Sequence, residues 1–583
     1  MAINMDKRAR FVGILLGAAT LLLVGRLFFW QVVKGAQLAQ YARSQYLRSE
    51  QIATQRGSIL ASDGGVLATS QITWQMWADP TKLTKKPQEI ARLLAPIFTR
   101  ELLPEDASGE AQLSFIENKE EQLEKALGKR DIRWVLLADK LSNEAKLAVE
   151  NFALPGVGWT LGETRFYPEG SAAAHLLGFV GKDEGGERGY FGLEGFYDVT
   201  LKGVKGIQRA ERDVRGNPIP FGLFSEIAPQ SGLDIVTFID RTVQYIIERH
   251  LASGIEKYGA KGGSVVVMKP TGEVLASASF PSYDHARYSE ADSTLFKNPA
   301  VADSFEPGSV FKVLVMAAAL DSGAVKPDTR CDACSGPVTI GKYQIHTWDD
   351  KYYPQTSMTD VIKHSDNIGM AFVGGRLGGD KMWDYLSGFG IGRLTDIDLQ
   401  EESTPALRGK GKWGDIDVAT TSFGQGVAVT PIQLVRAVAA IANHGILPVP
   451  RVVDKMGEGR EGTWEQEIPA KDEGRVISED AAAKITEMMI EAVRAGEAKW
   501  AAPKGFLIAG KTGTAQIPIA GHYSPEKTIA SFIGFAPADD PEFVMLVSLR
   551  EPTSSPFGSE TAAPLWFSIA RDLFPYFGIG PSQ

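Results

Sequence analysis

The feature that most constrains this 583-residue chain is an apolar run near its N-terminus. Lys7, Arg8 and Arg10 precede residues 11–33, in which Arg26 is the only charged side chain. As a helix this run would span roughly 34 Å, enough to cross a bilayer. We expect a retained anchor rather than a cleaved signal peptide, because the run is long and no clear small-residue cleavage site follows it. Arg26 is expected to reach the lipid headgroups, the alternative being a pair with a partner helix.

The charges around this run predict the topology of the chain. Positive charge before a membrane helix marks the cytoplasmic side, so residues 1–10 are expected to form a cytoplasmic tail. We therefore expect a single-pass protein of the cell (inner) membrane, held through residues 11–33, with its main body in the periplasm. The net charge of −10 and the lack of a long Lys/Arg run argue against a nucleic-acid partner.

The rest of the chain divides at a connection. Residues 217–232 are rich in Pro, Gly and Ser, and LDIVTFI after them alternates like a strand. We therefore predict a mixed pedestal region over residues 34–230 and a second domain over residues 231–583. The length of the chain fits two or three domains.

The second domain shows both helical and strand patterns. The apolar spacing predicts an amphipathic helix over residues 242–257, followed by a hairpin around residues 269–272. Three apolar runs near the C-terminus predict further strands, and residues 561–574 predict a closing helix. Strands at both ends with helices between them indicate an α+β domain whose sheet is completed by strands distant in sequence.

The stretch FEPGSVFKVL places Ser309 and Lys312 three residues apart at the start of an apolar helix. One helical turn brings both side chains to the same face, so the lysine could take a proton from the serine. To act as a base near pH 7, a lysine must lower its pKa by about 3 units. Burial and a second nearby cation are the available means.

Ser-x-x-Lys alone is a weak signal, and a second copy occurs at Ser524–Lys527, which we interpret as part of a loop. Two further motifs strengthen the first copy: KHSDN at residues 363–367 and KTGT at residues 511–514. The ordered trio is typical of serine enzymes that bind β-lactams. The sequence therefore predicts one pocket built from three distant segments.

Each residue of the second and third motifs suits a chemical role. Ser365 can relay a proton between Lys312 and a leaving amine, Asn367 can hold an amide, and Lys511 can supply positive potential. His364 is expected to face solvent rather than act as the base.

The residues after Lys511 are predicted to bind the substrate. The hydroxyls of Thr512 and Thr514 can bind a carboxylate, and Gly513 can leave room for a substrate strand at the sheet edge. The backbone N–H groups of Ser309 and Thr514 are the expected oxyanion donors. We find no metal, nucleotide or Ser-His-Asp motif, so neither a metal nor an organic cofactor is predicted.

Cys331 and Cys334 are the only two cysteines, spaced C-x-x-C. A local disulfide, two inert thiols and a metal site are the alternatives, the last disfavoured because only His346 lies near as a further ligand.

Together these motifs resemble the class B penicillin-binding proteins, and most closely the division-type FtsI group. The resemblance covers nearly the whole chain and is carried by residues 56–68, 276–284, 305–312, 422–434 and 509–516. Two departures stand out. Ala61 and Ser62 replace an Asp-Arg pair common in the family, so a salt bridge is expected to be missing there, and Asp366 replaces a serine.

The resemblance implies a fold and an activity. The fold would be an antiparallel sheet flanked by helices, similar to serine β-lactamases, on an elongated pedestal of the dimerisation type. The activity would be D,D-transpeptidation of peptidoglycan stem peptides through an acyl-enzyme on Ser309, with β-lactams acylating the same serine. The implied setting is septal cell-wall synthesis, with a SEDS glycosyltransferase of the FtsW kind and other division proteins as partners.

Other functions share part of the pattern. An elongation-type transpeptidase and a D,D-carboxypeptidase would carry the same motifs. A soluble serine β-lactamase would need neither an anchor nor a pedestal. A non-enzymatic scaffold or penicillin sensor would not need the intact set of Ser309, Lys312, Ser365, Asn367 and Lys511.

Overall fold

The structure is a computed structural model that describes residues 7–52, 54–103, 107–183, 186–211, 219, 224–458, 463–519 and 522–581. The strands are β1 (Leu47–Ile52), β2 (Ile59–Leu60), β3 (Val66–Ala78), β4 (Val135–Leu141), β5 (Val157–Phe166), β6 (Phe179–Asp183), β7 (Gly186–Tyr190), β8 (Gly206–Glu211), β9 (Phe224–Ile227), β10 (Asp234–Thr237), β11 (Gly262–Met268), β12 (Val274–Phe280), β13 (Val338–Ile340), β14 (Tyr343–Ile345), β15 (Ile446–Pro448), β16 (Val453–Glu458), β17 (Thr463–Glu467), β18 (Asp472–Arg475), β19 (Ala509–Ile519), β20 (His522–Ala536) and β21 (Phe543–Arg550).

The helices are α1 (Lys7–Phe28), α2 (Gly35–Tyr46), α3 (Pro87–Leu102), α4 (Gly109–Leu127), α5 (Asn143–Glu150), α6 (Ala174–Leu177), α7 (Gly192–Phe196), α8 (Asp198–Lys202), α9 (Arg241–Tyr258), α10 (Pro299–Ala302), α11 (Lys312–Asp321), α12 (Met358–Lys363), α13 (Asn367–Leu377), α14 (Gly379–Gly388), α15 (Asp415–Ser422), α16 (Pro431–Ala442), α17 (Glu479–Ala495) and α18 (Ala562–Tyr576).

The chain forms two compact units, the first drawn from Met1–Gln55 and Lys202–Gly232. In this unit α1 continues to Val33 as a π-helix, and Lys7–Val33 is long and apolar enough to cross a membrane. A three-stranded antiparallel sheet of order β1-β8-β9 completes the unit. The predicted helix over residues 11–33 is therefore confirmed.

The second unit contains Arg56–Leu201 and Leu233–Gln583. Its seven-stranded sheet has the order β17-β16-β10-β2-β3-β4, with β5 paired to β3. Strand β10 lies parallel to β2, with Ile235 opposite Ile59, so this sheet contains strands from both sides of the predicted boundary at residue 231. The domain limits of residues 34–230 and 231–583 stay a prediction.

The five-stranded sheet that carries the candidate site has the order β12-β11-β21-β20-β19, with antiparallel pairing throughout. Its two faces belong to two buried clusters, because alternate residues of a strand point to opposite sides. Val265 and Val267 pack with α9 and α18, whereas Val266 and Met268 lie in the cluster that contains α11 and α16. The predicted α+β sheet, completed by strands from the C-terminus, is confirmed.

Helix α9 shows how local signals position these elements. Asp240 accepts hydrogen bonds from the N–H groups of Thr242 and Val243 and so starts the helix. Gly259, with a φ of 60°, ends it in a left-handed conformation that favours glycine. The predicted helix over residues 242–257 is confirmed with small changes at its ends.

Two local expectations need correction. Ser524 and Lys527 lie in strand β20 rather than in a loop, because the β19–β20 hairpin extends to the pair Ile519 and His522. Of the predicted connection, residues 217, 218 and 220–223 lie outside the described residues. Residues 224–227 form strand β9.

Ala61 and Ser62, which replace the family's Asp-Arg pair, are followed by a residue that forms a different ion pair. The adjacent Asp63 contacts Arg241 at 2.8 Å, and the same guanidinium reaches Glu169 at 2.8 Å. All three side chains are exposed, so these contacts contribute little stability.

Candidate active site

Ser309 lies in a short 3-10 turn, Gly308–Phe311, that leads directly into α11. The N–H of Lys312 donates to the carbonyl of Ser309, which places the serine one turn before the lysine. The turn fits closely against β19, since a Cβ on Gly308 would lie 3.0 Å from the carbonyl oxygen of Thr514. Two of the three predicted motifs therefore meet here.

Lys312 is fully buried, and in its protonated form Nζ donates three hydrogen bonds to the KHSDN segment. The acceptors are the carbonyl of Ser365 at 2.6 Å, the Ser365 hydroxyl at 3.2 Å and Oδ1 of Asn367 at 2.8 Å. Burial lowers the pKa of Lys312 to about 7, and the positive charge of Lys511 acts in the same direction. At pH 7 about half of the molecules therefore hold Lys312, one turn after Ser309, as a neutral amine.

Ser365 occupies the tight turn between α12 and α13. Its φ of 56° is left-handed, and its N–H donates to the carbonyl of Ile362. Asp366 then starts α13 by accepting from the N–H of Ile368 at 2.8 Å. This turn presents both the hydroxyl and the carbonyl of Ser365 to Lys312.

Asn367 has both ends of its amide engaged. Oδ1 accepts from Lys312, and Nδ2 donates to the carbonyl of His346 at 3.1 Å. Because Nδ2 carries a second hydrogen, the amide can still donate to a ligand. His364 does not simply face solvent as expected, since its half-buried ring stacks on Tyr353 at 4.4 Å and burial lowers its pKa.

Lys511 is buried in β19 and is tied to the next residue. Its Nζ donates to the hydroxyl of Thr512 at 3.0 Å, and that hydroxyl donates to Oε2 of Glu497 at 2.8 Å. Burial lowers the pKa of Lys511, and the Glu497 carboxylate opposes this effect. The Thr512 hydroxyl, predicted to bind a substrate carboxylate, is therefore engaged with a carboxylate of the protein.

Gly513 is close to its own chain rather than to open space. A Cβ there would lie 2.4 Å from Oγ of Ser531 and 2.8 Å from a methyl of Val310, which follows the predicted nucleophile. The space above Gly513, predicted to accommodate a substrate strand, is therefore filled by Ser531 and by the turn that carries Ser309. The hydroxyl of Thr514 accepts from the N–H of Gly558 at 3.0 Å.

These segments surround a cavity of about 390 Å³. Ser309, Ser365, Asn367 and the three residues after Lys511 line it, whereas the two lysines lie behind its wall. The remaining lining residues were not predicted as site residues, and they include Glu497 and the aromatic pair Trp348 and Phe557, whose rings meet edge to face at 5.6 Å. Glu497, Trp348 and Phe557 lie in no recognisable motif. Of the charged side chains that the structure describes, only Glu497 lines the cavity.

A disulfide lies in the segment that leads to this pocket. Of the three alternatives for Cys331 and Cys334, the structure has the disulfide, and both residues are buried. The described residues contain no group of three or more His, Cys, Asp or Glu side chains that could hold a metal ion.

Comparison with known proteins identifies the family of this chain. Residues 263–574 match the family model for the penicillin-binding protein transpeptidase domain, and residues 51–237 match that for the penicillin-binding protein dimerisation domain. The chain belongs to the class B penicillin-binding proteins. The resemblance noted from the motifs is therefore confirmed.

Relatives of this penicillin-binding protein are similar along nearly their full length. Stage V sporulation protein D of Bacillus subtilis is 34% identical, over 100% of this chain and 87% of that protein. Peptidoglycan D,D-transpeptidase FtsI of Escherichia coli K12 is 30% identical, over 96% of this chain and 90% of that protein. The crystal structure of penicillin-binding protein 2X from Streptococcus thermophilus shares the fold, with a TM-score of 0.74, 22% identity and coverage of 91% of this chain and 80% of that chain.

Proposed function

We propose that this penicillin-binding protein is a peptidoglycan D,D-transpeptidase that forms an acyl-enzyme on Ser309. The observation that carries the proposal is the environment of Lys312: fully buried, bonded to Ser365 and Asn367, and one turn after Ser309. A lysine with a pKa of about 7 can accept the serine proton. The relative from Escherichia coli is named peptidoglycan D,D-transpeptidase FtsI, which agrees with this chemistry.

In the first half-reaction, Oγ of Ser309 attacks the carbonyl carbon of the penultimate D-Ala in a stem peptide. The new C–O bond forms, and the C–N bond to the terminal D-Ala breaks. The hydroxyl proton passes to Lys312 and then through Ser365 to the departing nitrogen, so the terminal D-Ala leaves as an amine. The hydrogen bond from Lys312 to Ser365 supports this path.

In the second half-reaction, an amine of a neighbouring stem peptide attacks the ester carbonyl. A C–N bond forms, the C–O bond to Ser309 breaks, and the amine proton returns to Oγ through Lys312. In both steps the backbone N–H groups of Ser309 and Thr514 are the proposed oxyanion donors. The close approach of Gly308 to the Thr514 carbonyl supports placing the two segments together.

The remaining site residues are proposed to hold the donor peptide. Asn367 donates its free hydrogen to the donor amide, and buried Lys511 supplies positive potential toward the terminal carboxylate. The Thr514 hydroxyl completes the carboxylate site, Thr512 orients the Lys511 ammonium, and Gly513 permits the close approach of this strand to Ser309. The same groups would hold the carboxylate and amide of a β-lactam.

The setting of the reaction is also a proposal. Residues 11–33 would anchor the chain in the inner membrane, with residues 1–10 in the cytoplasm and the transpeptidase domain in the periplasm. Septal synthesis with an FtsW-like SEDS glycosyltransferase is supported by similarity to FtsI. A fluorescent fusion should concentrate at midcell; an even sidewall distribution would favour an elongation role instead.

Covalent labelling tests the nucleophile. A fluorescent penicillin should label the full-length protein and the Ser524→Ala variant, but not Ser309→Ala. Ser524 is a matched control because it begins the second Ser-x-x-Lys copy yet lies in strand β20. Labelling of Ser309→Ala at the wild-type level would overturn the assignment.

Product analysis separates transpeptidation from carboxypeptidation. Incubation with nascent glycan strands should give cross-linked dimers of muropeptides that are absent with Ser309→Ala. Release of terminal D-Ala without dimers would instead identify a carboxypeptidase.

A further inference from the structure

Glu497 lines the pocket and belongs to a fourth segment, which contains none of the three motifs. It follows the end of α17 at Gly496, a residue that packs against two backbone carbonyls. A Cβ on Gly496 would lie 2.3 Å from the carbonyl of Ala492 and 2.9 Å from that of Lys363, which ends α12. This close packing fixes Glu497 between the segment that leads to Ser365 and strand β19.

The carboxylate is joined to Lys511 through one hydroxyl. Nζ of Lys511 donates to Thr512 Oγ1 at 3.0 Å, and Oγ1 donates to Glu497 Oε2 at 2.8 Å. Nζ also donates to the carbonyl of Thr512 at 3.2 Å, so the residue after it supplies both recorded acceptors. Without Glu497, the Thr512 hydroxyl would lose the acceptor that orients it toward the ammonium.

We propose that Glu497 is a positioning residue: acting through Thr512, its carboxylate keeps the Lys511 ammonium charged and in place beside the pocket. The inference rests on the proposed function, in which Lys511 supplies positive potential and Lys312 is the base. Glu497 thereby sets the pH range over which both lysines hold the protonation states that acylation needs.

The charges around the two lysines determine the sign of this effect. Four groups from four segments act here: Lys312 on α11, Asp366 between α12 and α13, Glu497 after α17, and Lys511 on β19. The Glu497 carboxylate raises the pKa of both lysines against the larger effect of burial. Its removal should therefore lower both pKa values.

The two lysines limit the rate on opposite sides of the pH profile. Acylation falls in acid as Lys312 is protonated and falls in base as Lys511 loses its proton. Replacing Glu497 by glutamine should move both limbs to lower pH. At the acidic end the variant should react several-fold faster than wild type, and at the alkaline end several-fold slower.

The test measures the rate constant for labelling of the full-length protein by a fluorescent penicillin between about pH 5 and pH 10. Glu497→Gln should shift both limbs, whereas Glu497→Asp, which keeps the charge, should stay nearer to wild type. Glu487→Gln is the matched control, because Glu487 is an exposed residue on α17, the helix that precedes Glu497. If Glu497→Gln does not fold, Thr512→Val should shift the alkaline limb in the same direction, because it removes the hydroxyl that accepts a hydrogen bond from the Lys511 ammonium.

The outcomes separate this inference from the proposed function. A rate that falls by the same factor at every pH in Glu497→Gln would mean that Glu497 has only a packing role. Equal shifts in Glu487→Gln would assign the effect to general surface charge. Either result overturns the inference while wild-type labelling at Ser309 stands, whereas loss of labelling at Ser309 in the wild type would overturn the proposed function itself.

Discussion

The burial of Lys312 predicts where the acid limb of acylation lies. Its usual pKa of 10.5 is lowered to about 7, first by burial and then by the Lys511 cation. At pH 7 roughly half of the molecules then hold a neutral amine, whereas at the usual value the fraction would be about 1 in 3000. The site thus increases the available base by roughly a thousandfold, at a cost of about 5 kcal/mol for the charged form.

The assay is the pH dependence of penicillin labelling at Ser309. The rate should rise about tenfold per pH unit below the midpoint and reach half of its maximum near pH 7. Lys312→Arg should remain unreactive throughout, because a guanidinium stays charged. A rate that rises only above pH 9, or a fully reactive Lys312→Arg variant, would refute the assignment of Lys312 as the base.

The same shift predicts a stability difference with a definite sign. Because folding lowers this pKa, the unfolded chain binds more protons than the folded chain between about pH 7 and pH 10. The Lys312 contribution to the free energy of unfolding should therefore rise with pH in that window, by up to about 1.4 kcal/mol per unit. Urea unfolding of wild type and Lys312→Met should diverge accordingly; a pH-independent difference would contradict the reasoning.

Three further predictions concern packing, a buried ion pair and the disulfide. Gly513→Ala should slow labelling at least about fivefold, because its Cβ would lie 2.4 Å from Ser531 Oγ and overpacking costs about 1–3 kcal/mol. Arg56→Met should lower the free energy of unfolding by up to about 3 kcal/mol in urea titrations, because it removes a 2.7 Å contact from the fully buried Glu194, which keeps its contact with Arg165. Replacing Cys331–Cys334 by alanines should cost about 2 kcal/mol in the same titration, and unreduced wild type in urea should not react with iodoacetamide.

Local patterns in the sequence predicted the elements of the five-stranded sheet. Strand β11 and the C-terminal strands appear as short apolar runs, and α9 appears as a helical repeat over residues 242–257. Such patterns extend over a few residues, so they can be recognised without knowledge of the whole fold. The three motifs then predicted the pocket, because each needs the others to make chemical sense.

Pairing between distant strands could not be read in the same way. Nothing near Ile59 or Ile235 indicates that these residues lie opposite each other in a parallel pair. The strand at Ser524–Lys527 was missed for a related reason, since Pro525 and its neighbours have turn-like composition, and strand β20 runs through them because Tyr523 and Thr528 on either side pair with Pro518 and Gln516 of β19. Register is set by the packed sheet rather than by any one segment.

In the candidate site, residue type alone did not predict what each side chain contacts. The sequence suggested that Thr512 and Gly513 serve the substrate, but their nearest partners are Glu497 and the Ser309 turn. A hydroxyl or a missing side chain suits either use, so only coordinates distinguish them. Glu497 had no motif at all, and its importance depends on the fit of Gly496 against α12.

In the proposed mechanism the two buried lysines behind the pocket hold different protonation states, and their neighbours favour Lys312 as the neutral one. Burial lowers the pKa of both, so it cannot separate them. After burial, the main influence on Lys312 is the Lys511 cation, whereas that on Lys511 is the Glu497 carboxylate. Two like charges in a low dielectric disfavour double protonation, so the first proton leaves the lysine that lacks the connected carboxylate. The division of roles between base and cation therefore follows from the position of one carboxylate.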